Sequence, residues 1–220
     1  MLEYFCMQKI LLIHGYATKL KASIFKSPYS DDEGFTAFHN SIDSGEIDVF
    51  HWGIPRSLSF IQALNPFSYL SLYQEEELRT KSSEIQQKLF NTIESSKIEK
   101  VICHSMGCRL LLQTINAIGL PGSVQSIIFL QADIDGNATI SNSNIANRLS
   151  QKTLTLKNFH CFWDPTLLIS SLLHKNIRIG LRSWNQPNIK NQLFPLLRLP
   201  NLHMNPLRNK QTVEKILRSS

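Results

Sequence analysis

Three side chains spread along the sequence have the types needed for nucleophilic acyl chemistry: Ser105, Asp164 and His203. Ser105 lies in the run VICHSMGCRLLL, between an apolar stretch that favours a strand and one that favours a helix. A serine on such a turn is typical of a nucleophile elbow, where the following amide, here that of Met106, faces a developing oxyanion. The usual pattern is G-x-S-x-G, and Cys103 replaces its first glycine. The context predicts a nucleophile rather than a simple helix cap.

The general base for such a nucleophile must come from one of seven histidines. Four precede the serine: His14, His39, His51 and His104. His160 and His174 fall on a predicted strand and a predicted helix, whereas His203 lies in the late, loop-like run LPNLHMNP. A loop at the carboxyl end of a strand can deliver an imidazole both to a serine and to a carboxylate. We therefore predict His203 as the base.

The carboxylate that orients the base can come from either of two segments. Asp164 stands in FHCFWDPT, and Asp133 and Asp135 stand in LQADIDG, each after a predicted strand. An acid beyond the later strand should lie nearer the histidine loop, which favours Asp164. Its Asp-Pro pair also predicts a helix N-cap, and one carboxylate can serve both purposes. Asp133 and Asp135 stay open as alternatives.

An early His-Gly pair supplies the second half of a predicted oxyanion hole. His14 and Gly15 follow the first apolar run, one strand-helix-strand-helix unit before the serine. In a nucleophile-elbow site the second amide donor comes from a loop after an earlier strand. Gly15 would let the backbone approach closely. The amide of Tyr16, together with that of Met106, is therefore the predicted oxyanion hole.

Alternating strand and helix patterns predict how these residues are positioned. The predicted strands cover residues 9–14, 47–52, 100–104, 124–130, 153–160 and 194–199. The predicted helices cover 74–94, 106–118, 165–173 and 212–217. Apolar strands alternating with helices favour an α/β fold: a mostly parallel, twisted sheet of about six strands with helices on both faces.

The length of 220 residues fits a single domain over residues 1–220. Residues 53–73 are rich in aromatic side chains and predict a loop that either lines a pocket or packs over the end of the sheet. Only a short segment, 135–152, separates the fourth and fifth predicted strands, where a cap domain would be inserted, so no large cap is expected.

Composition narrows the function classes. The net charge of +6 comes from scattered basic residues without a dense basic-aromatic stripe, so no nucleic-acid partner is expected. No zinc, dinucleotide or P-loop pattern occurs, and no cofactor is predicted. The four cysteines form no C-x-x-C pair, no apolar run approaches the roughly 20 residues of a membrane span, and the first residues make a poor signal peptide. These features predict a cytoplasmic protein without a transmembrane segment.

The runs LLIHGY, VICHSMGCRLLL, FHCFWDPTLLIS and NLHM, in that order, resemble the α/β-hydrolase superfamily. More narrowly, the chain resembles capless, uncharacterised bacterial serine hydrolases whose elbow reads H-S-M-G. The resemblance covers roughly residues 9–206 and implies Ser105 as nucleophile, Asp164 as acid and His203 as base. It also implies that the amides of Tyr16 and Met106 bind the oxyanion.

Together these features predict a serine hydrolase that cleaves a small carboxylic ester or thioester through an acyl-Ser105 intermediate. Two other functions stay open: an acyltransferase, in which an alcohol or amine replaces water, and a non-catalytic binding protein on a hydrolase fold.

Overall fold

The computed structural model describes residues 8–15, 20–22, 38–53, 56–58, 66–194, 203, 207 and 209–218. Its strands are β1 (Ile10–Ile13), β2 (Leu20–Ala22), β3 (Ile47–Phe50), β4 (Arg56–Leu58), β5 (Lys100–His104), β6 (Ser126–Leu130), β7 (Thr155–His160) and β8 (Ile189–Leu193). Its helices are α1 (His39–Asp43), α2 (Pro66–Thr80), α3 (Ser83–Ser95), α4 (Met106–Ala117), α5 (Ser143–Ser150), α6 (Pro165–His174) and α7 (Lys210–Arg218).

Six strands form one sheet in the order β3-β1-β5-β6-β7-β8, and every neighbouring pair is parallel. The strands β2 and β4 pair separately as a small parallel sheet. The central strand β5 is buried along its whole length, as expected of a parallel strand covered on both faces. The predicted α/β fold with a mostly parallel sheet is confirmed.

Alternate residues of the strands feed two hydrophobic cores, one on each face of the sheet. Val101 of β5 packs into one core with residues of α3, α4 and α5. Ile102, the next residue, packs into the other core with residues of α7 and with Phe38 beside α1. Because strand side chains alternate between faces, this apolar run is buried on both sides. Helices therefore flank both faces, as predicted.

The strand register brings the functional segments together at the carboxyl ends of the parallel strands. Ile13 of β1 pairs with Cys103 of β5, and Leu130 of β6 pairs with both His104 and Phe159. The carboxyl ends of these parallel strands therefore lie side by side. The segments that follow these strands carry Gly15, Ser105 and Asp164. Ligands of open parallel sheets bind beyond the carboxyl ends of the strands.

Two predicted elements, the helix over 74–94 and the loop over 53–73, differ in detail from the structure. The helix predicted over 74–94 is two helices, α2 and α3, because Ser82 has an extended backbone (φ −68°, ψ 121°) that interrupts helical hydrogen bonding. In the predicted loop 53–73, residues 66–73 are instead the first half of α2, and Arg56–Leu58 forms β4.

The sixth strand of the main sheet, β8 at Ile189–Leu193, directly precedes the predicted strand 194–199. Its sequence IKNQL is mostly polar and its last four residues are exposed, as an edge strand allows, so apolar patterning does not reveal it. Phe194 follows that strand, and residues 195–199 lie outside the described residues. Among the described residues, no helix is long and apolar enough to cross a membrane.

Candidate active site

Ser105 occupies the sharp turn between β5 and α4. Its backbone has φ 52° and ψ −121°, a conformation that costs a non-glycine residue of order 1–3 kcal/mol. Its amide donates to the carbonyl of Leu130 (3.0 Å), and its carbonyl accepts from the amides of Cys108 and Asp133 (3.1 Å each). The Ser105 side chain makes no capping hydrogen bond to α4. The strained backbone is thus held by neighbouring strands, as a nucleophile elbow requires.

Gly107 allows this turn to lie tightly against the end of β1. A Cβ atom at position 107 would lie 2.4 Å from the carbonyl oxygen of His14 and 2.7 Å from that of Ile13. At Gly15, an added Cβ would lie 2.9 Å from Ser105 Cβ. Both glycines therefore bring the β1 end and the elbow into direct contact.

Cys103, at the other expected glycine position, is fully buried. Burial, together with a hydrogen bond to Cys108, raises the pKa of the Cys103 thiol well above its usual value. The thiol is therefore uncharged and part of the hydrophobic core rather than a nucleophile. A small side chain at this elbow position is accommodated because it packs into the core.

Asp164 lies at the start of α6 and is fully buried. Its Oδ1 atom accepts from the amides of Thr166 (3.0 Å) and Leu167 (3.2 Å), and Pro165 occupies the first helical position. Its Oδ2 atom faces away from the helix and lies 2.6 Å from His203 Nδ1. One carboxylate therefore caps the helix and contacts the imidazole, the two functions that the sequence allows together.

His203 lies against the elbow segment. Its side chain is 13% exposed, its carbonyl oxygen lies 2.8 Å from His104 Nε2, and the two rings have centroids 4.6 Å apart. His104 is the residue directly before Ser105. The fold thus brings the candidate acid and base together beside the candidate nucleophile. The Ser105 hydroxyl itself makes no hydrogen bond within the described residues.

Sequence reasoning missed Gln131, which also contacts the candidate acid. Gln131 follows β6 with a left-handed backbone (φ 46°), and its side-chain amide donates to Asp164 Oδ2 at 2.7 Å. Its own amide donates to the carbonyl of Phe159 on β7 (2.9 Å). Gln131 directly follows a strand end, which is the only signal in the sequence that could have pointed to it.

Of the two candidate oxyanion donors, the structure describes Met106 but not Tyr16. Met106 begins α4, and the first amides of a helix lack partners within the helix, so its N–H is available to an oxyanion. Tyr16 lies outside the described residues. Its neighbour Gly15 is described and lies directly against Ser105. The predicted Tyr16 amide thus follows the glycine that contacts the elbow.

Hydrogen bonds around His14 fix the end of β1. Trp52 donates from its indole Nε1 to the carbonyl of His14 (2.9 Å), and its ring stacks on the imidazole with centroids 5.6 Å apart. His14 Nδ1 lies 2.9 Å from the carbonyl of Gly15, and His14 Nε2 accepts from the amide of Trp52 (3.4 Å). This places the proton on Nδ1 and makes His14 a residue that supports the loop rather than a base.

Asp133, the alternative acid, is engaged elsewhere. Its Oδ1 atom accepts from Ser170 Oγ (2.6 Å) and from Arg178 Nε (3.0 Å), and Tyr73 donates to Oδ2 (2.7 Å). Burial alone would raise the pKa of Asp133, but Arg109 and Arg178, with these hydrogen bonds, hold it below its ordinary value. Burial and the Asp133 charge raise the pKa of Tyr73 to about 12, so the phenol stays protonated and donates.

The second alternative acid, Asp135, pairs with Arg178. The charged groups around Asp133 also contact Glu77 of α2. Arg109 Nη1 lies 2.7 Å from the Glu77 carboxylate, and His174 Nε2 lies 3.5 Å from the same side chain. Burial and then Arg178 lower the pKa of His174. Both alternative acids are therefore occupied by arginines and stand apart from His203.

The chain matches a known protein family over most of its length. A family described as "Alpha/beta hydrolase of unknown function (DUF900)" matches residues 7–196, most of the chain. The matched span includes Ser105 and Asp164 and ends before His203, whose assignment therefore rests on its contacts. No curated protein matches the sequence.

Proposed function

The chain belongs to this α/β-hydrolase family, and we propose that it is a serine hydrolase that cleaves a carboxylic ester or thioester through an acyl-Ser105 intermediate. The observation that carries the proposal is the 2.6 Å contact between His203 Nδ1 and the buried carboxylate of Asp164, beside a serine with a strained backbone. Nucleophile, base and orienting acid in this relation activate a hydroxyl that is weak at its ordinary pKa.

Acylation would begin when His203 Nε2 takes the Ser105 proton as Oγ attacks the substrate carbonyl carbon. Asp164 would keep the imidazole in the tautomer with the proton on Nδ1 and stabilise the imidazolium that forms. The negative charge that develops on the carbonyl oxygen would be bound by the amides of Met106 and Tyr16. The tetrahedral intermediate then collapses, His203 returns its proton to the leaving alcohol or thiol, and the acyl group stays on Ser105.

Water would complete the cycle. His203 takes a proton from the water as its oxygen attacks the acyl carbon, and the reverse proton transfer frees Ser105 and a carboxylic acid. The absence of a hydrogen bond at the Ser105 hydroxyl in the free protein is consistent with this scheme, because such contacts often form only with substrate. Gln131 donates to Asp164 Oδ2 while the α6 amides donate to Oδ1, and it supports the same geometry.

A Ser105→Ala substitution tests the proposal directly. We expect hydrolysis of a short p-nitrophenyl ester, and of the matching thioester, to fall at least about 10³-fold, because the nucleophile is lost. Ser150→Ala, which makes the same chemical change at an exposed serine of α5, should leave the rate unchanged.

Three outcomes of that assay would favour another function or mechanism. Turnover that survives Ser105→Ala at the native rate would exclude the acyl-Ser105 mechanism. Absence of any turnover by the native protein, with intact folding, would favour a binding protein on this fold. If an added alcohol captures the acyl group faster than water does, the same nucleophile serves acyl transfer.

A further inference from the structure

Helix α6 carries a row of exposed apolar side chains on its outer side. Leu168, Ile169, Leu172 and Leu173 are 42%, 61%, 79% and 48% exposed, and we call these four residues the apolar stripe. Residues at such spacing lie on one side of a helix. The inner side of α6 is buried through Leu167 and Ser170. The helix is therefore fully anchored, and the stripe faces outward.

Further apolar side chains extend the stripe at both ends. Phe162 and Trp163, just before α6, are 47% and 57% exposed, and Ile177, just after it, is 50% exposed. A contiguous exposed apolar surface of this kind marks an interaction site in a water-soluble domain. Aromatic side chains at the end of such a surface are typical of contact with a membrane interface.

The surrounding charges select the kind of partner. Residues 136–213 contain ten Lys and Arg residues but a single carboxylate, Asp164, which is fully buried. Lys175 at the end of α6 and Arg182 beyond it are exposed. The exposed charged side chains that the structure describes between residues 136 and 213 are therefore all basic, and the nearby exposed carboxylate of Asp135 is paired with the buried Arg178. This leaves Lys175 and Arg182 complementary to a negatively charged surface.

We propose that the apolar stripe docks the protein on the surface of a bilayer that contains anionic phospholipids. Leu, Ile and Trp side chains would enter the boundary between headgroups and acyl chains, while Lys175 and Arg182 would contact lipid phosphates. A second copy of the chain fits less well, because two copies joined through their stripes would bring like charges together. Docking depends on this surface and not on Ser105.

The position of the stripe connects docking with the candidate active site. Trp163 directly precedes Asp164, and Asp164 is the N-cap of the helix that carries the stripe. A protein held through α6 would therefore be held by the same helix that its candidate catalytic acid caps, four residues before Leu168 of the stripe.

Flotation with lipid vesicles tests the docking. The native protein should float with vesicles of phosphatidylcholine and phosphatidylglycerol but not with phosphatidylcholine alone, and raising the salt from about 0.05 M to about 0.5 M should weaken binding. Ile169→Ser with Leu172→Ser should reduce the bound fraction at least about tenfold. The matched pair Ile169→Val with Leu172→Met, which stays apolar, should float as the native protein does. Circular dichroism checks that each variant is folded.

Intrinsic fluorescence gives an independent readout of the same surface. Of the three tryptophans, Trp52 and Trp184 are buried and Trp163 is exposed, so a blue shift on adding anionic vesicles reports that Trp163 leaves water. Trp163→Phe should remove the shift while the protein still floats. Lys175→Gln should weaken binding, whereas Lys88→Gln, the same charge loss on the exposed side of α3, should not.

Several results would overturn the inference. These are no flotation of the native protein on anionic vesicles, flotation unchanged by the two serine substitutions, or flotation without a Trp163 shift. If the native protein is instead a dimer that the serine substitutions dissociate, the stripe is a contact between copies. Ser105→Ala should float normally, and native hydrolysis of a soluble ester is measured without vesicles, so failure of docking and failure of the proposed hydrolysis are distinguishable.

Discussion

Gly107→Ala is expected to destabilise the protein because the elbow lies directly on the backbone of β1. The new Cβ would lie 2.4 Å and 2.7 Å from two carbonyl oxygens, those of His14 and Ile13. Backbone atoms of a buried strand cannot rotate away, so the expected cost is at the upper end for overpacking, about 3 kcal/mol. Alanine recovers about 1 kcal/mol through its higher helix propensity. The net loss is about 2 kcal/mol.

Thermal unfolding measures this loss. For a chain of this size, about 2 kcal/mol corresponds to a decrease in Tm of roughly 4–8 °C. Gly122→Ala is the matched control, because nothing lies within 4 Å of its added Cβ, and it should leave Tm unchanged or raise it slightly. Ester hydrolysis by Gly107→Ala should also fall, since the shift separates Ser105 from the β1 end. A Gly107→Ala protein as stable as the native one would refute the packing argument.

Three further predictions concern Asp164, its neighbour Gln131, and Asp133. Asp164→Asn should keep the helix cap but reduce kcat/KM for ester hydrolysis about 10⁴-fold, because an amide favours the wrong imidazole tautomer, whereas an unchanged rate would exclude Asp164 as the acid. Gln131→Ala should lower kcat more than it raises KM, and Gln131→Glu should not restore kcat because it adds a like charge beside Asp164. Asp133→Asn should destabilise the protein strongly at neutral pH, by about 3–5 kcal/mol, because it removes the partner of buried arginines.

The pH dependence of Asp133 follows from the direction of its pKa shift. Its folded pKa is lower than its unfolded pKa, so the ionised carboxylate stabilises the fold above the unfolded pKa of about 3.8. That contribution disappears as pH falls through the folded pKa. The difference in Tm between the native protein and Asp133→Asn should therefore narrow below about pH 4. A constant difference down to pH 2 would show that Asp133 is not ionised in the folded protein.

Apolar sequence patterns predict the bounds of a strand or helix well where its side chains are buried on one side or on both. The strand β5 and helix α4 were predicted within a residue, because their apolar runs are buried on both sides. The break between α2 and α3 has no sequence signal, because α2 ends at Thr80 and α3 begins after its N-cap Ser82 without a glycine or proline between them. The helix α5 has no matching prediction either, since its sequence SNIANRLS buries only Ile145 and Leu149.

In the candidate site, too, residues with a local sequence pattern can be predicted, whereas residues that act through tertiary contacts cannot. The elbow at Ser105 and the cap at Asp164 have local patterns, and both occur where the sequence predicts them. Gln131 and the arginines around Asp133 act through contacts 24–45 residues away in sequence, and apart from the position of Gln131 at a strand end nothing local distinguishes them from other polar residues. Which of Asp164 and Asp133 contacts the candidate histidine therefore depends on tertiary contacts.

The most direct test of the central claim is covalent labelling of the native protein with a fluorophosphonate, followed by mass spectrometry of the intact chain and of its peptides. The account predicts one adduct per chain, located on Ser105 and greatly slowed in Asp164→Asn. A folded protein that hydrolyses the ester but carries its adduct on another residue would contradict the account, as would hydrolysis without any adduct.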